Sequence, residues 1–206
     1  MPSPFPGTTA QHSSPPVNPF SSQAVRPGAI PFLSAGCLEA DLDELVSRLH
    51  QNRGWGQIVG PHGSGKSTLL AALVPELEVA SYHIQAVALR DGQRRLPGHF
   101  PDFSLAKSVV IVDGYEQLGR LARWRLKKAC RRHDHGLLVT SHAPVGLPTL
   151  LETRVTVAVA KSIVERLLTD RDFSVDDAEI ANLLEKHGGN LRDVLFDLYD
   201  RYEQAR

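Results

Sequence analysis

The chain is expected to fold as a three-layer α/β domain. A mostly parallel five-stranded sheet would be covered by helices on both faces, with a small helical lid at the C-terminal end. Three observations carry this reading. Strand-like apolar runs alternate with stretches of helical spacing between about Trp55 and Ala160. Two of those runs, Val109-Val110-Ile111-Val112 and Leu137-Leu138-Val139, are continuously apolar, as strands buried on both faces are. Beyond Lys161 the apolar residues recur at helical spacing only.

Composition sets the outer bounds. The 206 residues suit one domain of moderate size with a small appendage, and 42% hydrophobic residues supply a core if the polar stretches lie outside it. Lys and Arg number 23 and so do Asp and Glu, so a general attraction to polyanions or anionic membranes is not supported. Cys37 and Cys130 form neither a disulfide framework nor a zinc pattern. No apolar run approaches the roughly 18–20 residues that span a bilayer, and the N-terminus lacks the basic start and apolar stretch of a secretory signal. The expectation is a cytoplasmic protein without membrane contact.

Three segments follow in order. Residues 1–25 carry no Lys, Arg, Asp or Glu and are dense in Pro and Ser, which predicts a disordered tail containing an Asn18-Pro19-Phe20 stretch of docking-peptide type. Residues 26–160 would form the core and 161–206 the lid. Within the core, Leu38, Leu42, Leu45, Val46 and Leu49 share one helical face before a capping Gly54. Strands are expected at 55–60, 79–89, 108–113, 136–141 and 154–160, and helices at 66–74 and 116–132. In the lid, 161–168 would be a short helix, Ser174 would cap the next, Gly188-Gly189 would end it, and Asn190 would cap the last.

The strongest chemical signal is Gly60-Pro61-His62-Gly63-Ser64-Gly65-Lys66-Ser67, which fits G-x-x-x-x-G-K-[ST] at every fixed position. Chance would produce it about once in a hundred chains of this length. Glycines let successive main-chain N–H groups converge on phosphate oxygens, and the helix that starts near Lys66 points its positive end at the same anion. The predicted binding set is Gly60, Pro61, His62, Gly63, Ser64, Gly65, Lys66, Ser67 and Thr68. Lys66 would neutralise the β- and γ-phosphates, and Ser67 would coordinate Mg²⁺.

A second site is expected where Asp113 ends its apolar strand, on the sheet edge where ligands bind in open α/β folds. Asp113 would share the Mg²⁺ with Ser67. Many ATPases place a water-activating Glu directly after this Asp; here Gly114 follows and the nearest carboxylate is Glu116. Glu116 would reach the γ-phosphate if the turn is tight, or would serve as a helix N-terminal residue favoured by the dipole. Hydrolysis is therefore less firmly implied than binding. Thr140, with Ser141 and His142 as rivals, ends the next apolar strand beside Asp113.

With these residues in place the chain resembles the AAA+ ATPases, and more broadly the P-loop ATPases with an extra strand between the Walker A and Walker B strands. His187-Gly188-Gly189-Asn190-Leu191-Arg192 is similar to the sensor 2 element that opens a lid helix. The resemblance implies ATP and Mg²⁺ as cofactors, and a catalytic set of Lys66, Asp113, Glu116, Thr140 and Arg192. It also implies Ile30 near the adenine and Arg154 as an arginine finger for a neighbouring subunit in a nucleotide-dependent oligomer. ATP is favoured over GTP because no Asn-Lys-x-Asp run occurs, and no Leu-Ser-Gly-Gly-Gln run points to an ABC-type ATPase.

The leading functional reading is a Mg-dependent ATPase that acts as a nucleotide-controlled switch on a protein partner. Its rivals are a small-molecule or nucleotide kinase, with 90–95 as a mobile arginine lid, and a non-hydrolysing ATP-binding module. The helix 120–132 carries seven cations and no carboxylate. A solvated face is favoured there over contact with nucleic acid or an acidic protein.

Overall fold

The computed structural model describes residues 18–33, 41–90, 92–104, 108–169 and 173–205. Within them the elements run α1 (Leu42–Gln51), β1 (Trp55–Val59), α2 (Lys66–Val79), β2 (His83–Ala88), β3 (Ser108–Asp113), α3 (Arg120–Arg132), β4 (Gly136–Ser141), β5 (Thr149–Glu152), α4 (Val157–Leu168), α5 (Asp177–Lys186) and α6 (Leu191–Gln204). A 3₁₀ turn, Tyr115–Gln117, separates β3 from α3. The sheet has five strands in the order β2-β3-β4-β1-β5, all paired in parallel. Among the described residues no helix is long and apolar enough to cross a membrane.

Strand alternation divides the core. Val109 and Ile111 of β3 and Leu138 of β4 face α1 and α2, where they meet Leu45, Leu49, Leu69, Leu73 and Leu77. Val110 and Val112 of β3 and Leu137 and Val139 of β4 face the other way and pack on Leu126 and Cys130 of α3. Neither β3 nor β4 has a wet face, which explains their continuously apolar sequences. A third cluster joins α4, α5 and α6 through Val159, Ile163, Ile180, Leu184, Val194, Leu195 and Leu198.

Several expectations need correction. The stretch 154–160 is not a strand. The last strand is β5, and Thr156 caps α4 by accepting a hydrogen bond from the Val159 N–H. Val155, Val157 and Val159 resemble a strand in composition, but Val159, Ala160, Ile163 and Val164 bury one helical face in the lid cluster. That helix begins before the expected lid boundary at 161. Likewise α2 continues through Pro75 to Val79, so β2 starts at His83 rather than at 79. The expected helix 116–132 is interrupted at Leu118, whose extended backbone separates the 3₁₀ turn from α3. The cap of α5 is Asp176, which accepts from Glu179 N at 2.7 Å, in place of Ser174. The expected caps Gly188-Gly189 and Asn190 lie at the end of α5 and the start of α6.

The tail reading is also corrected for residues 18–25. Phe20 is fully buried in the lid cluster, edge-on to Phe173 and Tyr202 at ring distances of 6.3 Å. Asn18 donates to Tyr199 O at 3.1 Å and to Glu203 Oε1 at 2.7 Å, while accepting from Phe20 N. Stabilisation of this segment comes from a partner surface elsewhere in the chain, which its own composition does not reveal. Residues 1–17, and Leu38 of the expected first helix, lie outside the described residues.

Two expected outcomes follow from this packing. Phe20→Ala should lower stability by about 3–5 kcal/mol, read as a shifted denaturant midpoint, because it removes a fully buried ring. Burial also pushes the Tyr115 phenol up from 10.0 to about 12 and the Cys130 thiol from 9.0 to about 12. Both groups favour the protonated form in the fold. Their contribution is full below the unfolded values and is lost as the pH rises through about 9 to about 12. Urea midpoints should therefore fall between roughly pH 8 and pH 11, as the lower part of that range is crossed. Tyr115→Phe should make that fall smaller.

Candidate functional site

The loop between β1 and α2 leaves the sheet at its C-terminal edge, with Gly60 N bonded to Ser141 O of β4 at 3.1 Å. Space decides two of its glycines. A Cβ on Gly60 would collide with Thr153 and stand 2.7 Å from the Ser64 hydroxyl. A Cβ on Gly63, whose φ is +66°, would run into the Asn190 side chain and lie 3.0 Å from Leu191 N. The phosphate loop is thus pinned from below by the end of β5 and touched from above by the start of α6. Ser64 shares a hydrogen bond with Thr153 at 2.6 Å and donates to Pro61 O at 2.8 Å. Phe32 closes the side of the loop, 3.1 Å from the position a Gly65 Cβ would take.

Lys66 is only 9% exposed, and its ammonium folds back to donate to Gly60 O and Pro61 O, both at 2.7 Å. Burial pushes its pKa below the usual lysine value; the negative charges of Glu116 and then Asp113 oppose that shift. Two carboxylates thus face an ammonium that their charge helps to keep protonated.

Asp113 is the hub of the site. Its Oδ2 accepts from the Ser67 hydroxyl at 2.7 Å, and its Oδ1 accepts from the Thr140 hydroxyl at 2.5 Å. Thr140 in turn accepts from Gly114 N at 2.9 Å. Gly114 has φ +81°, and a Cβ there would stand 2.9 Å from Leu89 O. The tight turn it permits carries Glu116 back over the strand end. Glu116 Oε1 lies 3.1 Å from His142 Nε2, while Oε2 is buried without a hydrogen-bond partner among the described residues. The His142 ring meets the His62 ring of the phosphate loop at a centroid distance of 3.7 Å.

These groups line one cavity of about 620 Å³. Lys66, Ser67, Asp113, Glu116, Thr140, His62 and His142 form its polar end, together with Gly63, Ser64, Gly65 and Thr68. Ile30, Val155, Val159, Ile163, Leu191 and Leu195 form an apolar flank. Gly60 and Pro61 present their carbonyls to Lys66 and do not line the space. Arg192, in the first turn of α6, and Arg154, just after β5, both line the cavity of their own chain. Arg154, expected from the resemblance as an arginine finger for a neighbouring subunit, follows Thr153 and lines the cavity of its own chain.

The Ser67 hydroxyl and Asp113 carboxylate present hard oxygens that suit Mg²⁺. Among the described residues no group of three or more His, Cys, Asp or Glu is arranged to hold a metal. Such an ion would therefore take a few protein oxygens and complete its shell with phosphate and water, as Mg²⁺ commonly does.

Sequence reasoning missed Thr153, Asn190 as a contact of Gly63, and the pairing of His142 with Glu116. In sequence, His142 was visible as a polar residue at a strand end and Asn190 as a helix cap, but these contacts were not.

No protein-family model matches the chain, and no curated protein matches its sequence. Among solved structures it is similar to RuvB of Thermotoga maritima. One variant superposes with a TM-score of 0.54 at 17% identity, over 84% of this chain and 63% of RuvB. A second gives 0.53 at 17% over the same shares, and a third 0.52 at 16% over 79% and 60%. The chain thus spans less than two thirds of the RuvB chains it matches. RuvB is an AAA+ P-loop ATPase. With its parallel five-stranded sheet and strand order, the chain shares the α/β fold of these RuvB structures.

Proposed function

We propose that this protein binds Mg·ATP in the cavity at the sheet edge, hydrolyses it slowly, and uses the nucleotide state to control a partner surface. The observation that carries the reading is the convergence of Lys66, Ser67, Asp113, Thr140, Glu116 and Arg192 on one cavity with an apolar flank. The polar end suits a triphosphate and the flank, with Ile30, Leu191 and Leu195, suits a base. Lys66 is the group that would exchange its two loop carbonyls for phosphate oxygens. Bound Mg²⁺ supplies charge to the phosphoryl oxygens; Ser67 and Asp113 would hold it. Thr140 orients Asp113 through its short hydrogen bond.

Glu116 is the candidate general base. Its partner His142 holds Oε1 and leaves Oε2 as the oxygen that would take a proton from water. Hydrolysis is read as slow because Gly114, and no carboxylate, directly follows Asp113. Arg192 and Arg154 are the cations placed to meet a γ-phosphate from the lid side and the β5 side. Asn190 against Gly63 ties the start of α6 to the phosphate loop, giving occupied and empty loops a route to different lid positions.

Equilibrium binding of a fluorescent ATP analogue should weaken at least about tenfold in Lys66→Ala, the loss of a charge-assisted contact. Undiminished affinity would refute the loop assignment. Glu116→Gln should lower phosphate release by roughly 10²–10⁴ while leaving ATP affinity near that of the parent protein. Release that proceeds only after an acceptor is added would turn the reading to a kinase, and none under any condition to a binding module.

A further inference from the structure

The outer face of α3 has no role in the fold or in the nucleotide site. Leu121 is 58% exposed and Trp124 57%, large values for apolar side chains on a sheet-covering helix. With Arg125, Lys128 and Arg132 they follow the spacing i, i+3, i+4, i+7, i+11, which is one stripe along the helix. Residues 120–132 hold seven of the chain's 23 cations and no carboxylate, so the remainder of this formally neutral chain has an excess of seven acidic residues.

Some of those cations are occupied within the chain. Arg123 donates to Glu116 O at 2.6 Å and Leu118 O at 2.7 Å, Lys127 donates to Val145 O at 2.7 Å, and Arg131 lies over the Trp55 ring. Arg120, Arg125 and Arg132 are exposed and, among the described residues, pair with no carboxylate. Like charges at Lys127/Arg131 and Lys128/Arg132 oppose the helix that carries them. Among the described residues, no carboxylate pairs with Arg120, Arg125 or Arg132 to offset that repulsion.

We infer that this stripe docks an acidic amphipathic helix of a protein partner, with Leu121 and Trp124 at the centre and Arg120, Arg125, Lys128 and Arg132 around them. Charge complementarity requires an anionic occupant. The two apolar side chains then choose among anions. A polyanion such as single-stranded nucleic acid would neutralise the arginines but leave Leu121 unmatched, and one face of the Trp124 ring is already covered by the Lys128 ammonium at 5.1 Å. An amphipathic helix covers both apolar side chains and brings carboxylates to the flanks. The thirteen residues of α3 span about 20 Å, room for three turns of a partner helix.

The docking face is joined to the nucleotide site through Arg123, which leaves the same helix to hold the main chain at Glu116 and Leu118. The proposal thus names the partner class for the switch reading, and it is tested in nucleotide-free protein so that the two fail separately.

The probe is a labelled synthetic peptide of about fourteen residues, with Leu or Phe at i, i+3, i+4 and i+7 and Glu elsewhere. Its binding to the full chain is followed by anisotropy, beside oligo-glutamate of equal length, oligothymidylate, anionic vesicles, and sedimentation of the chain alone. The peptide should bind, weaken as salt is raised, and bind at least about tenfold more weakly to both Leu121→Ser/Trp124→Ala and Arg125→Glu/Arg132→Glu. Both variants should keep the parent's thermal midpoint and ATP affinity. No peptide binding, equal binding of oligo-glutamate, tighter binding of oligothymidylate or vesicles, or self-association that buries the stripe would each overturn the proposal.

Discussion

The hydrogen bonds that Asp113 accepts from Ser67 and Thr140 tie together the ends of three neighbouring sheet paths. Ser67 belongs to the helix after β1, Asp113 to β3 and Thr140 to β4. The strand order places β4 between β1 and β3, so a hydroxyl at the end of β4 can reach the carboxylate at the end of β3. Every other feature of the site depends on that junction. It sets where Lys66 lies relative to two carboxylates, where the turn with Gly114 starts, and how far Glu116 stands from the phosphate loop.

The loop itself is held by unlike supports. Thr153 braces Ser64 from the end of β5, Phe32 closes the side at Gly65, and Asn190 rests against Gly63 from the lid. The first two belong to the body of the domain and fix the loop's shape. The third belongs to α6, whose core is packed with α4, α5 and the segment around Phe20. The lid is therefore a separate apolar cluster that meets the sheet domain at the cavity. The N-terminal segment reinforces it: Phe20 and Leu33 pack with the lid, Phe32 with the sheet, and Ile30 with the cavity between them.

Charge is distributed in the same economical way. Around Lys66 the negative charges of Glu116 and Asp113 oppose the lowering of its pKa by burial. On α3, Arg120, Arg125 and Arg132 are exposed and, among the described residues, pair with no carboxylate. One arginine of that helix, Arg123, links the two environments by binding the main chain of the turn that carries Glu116. The cavity at the sheet edge and the outer helix face are thus one hydrogen-bonded arginine apart.

The amino-acid sequence alone determined the layers of the sheet and the place of the glycine-rich loop between β1 and α2. Both are written in local patterns: continuous apolar runs for β3 and β4, helical spacing for α1 and α6, and a contiguous Gly-rich motif. Asp113 and Thr140 were legible for the same reason, since each ends such a run. Only tertiary structure decided that Thr153 supports Ser64 from 89 residues away, that Glu116 pairs with His142, and that Arg154 borders its own cavity. It also decided the short edge strand β5 against the β-branched stretch after it, and buried Phe20 in a lid formed some 140 residues later. In each case a side chain's state depends on what the rest of the chain brings against it, and residue spacing along the sequence carries no record of that.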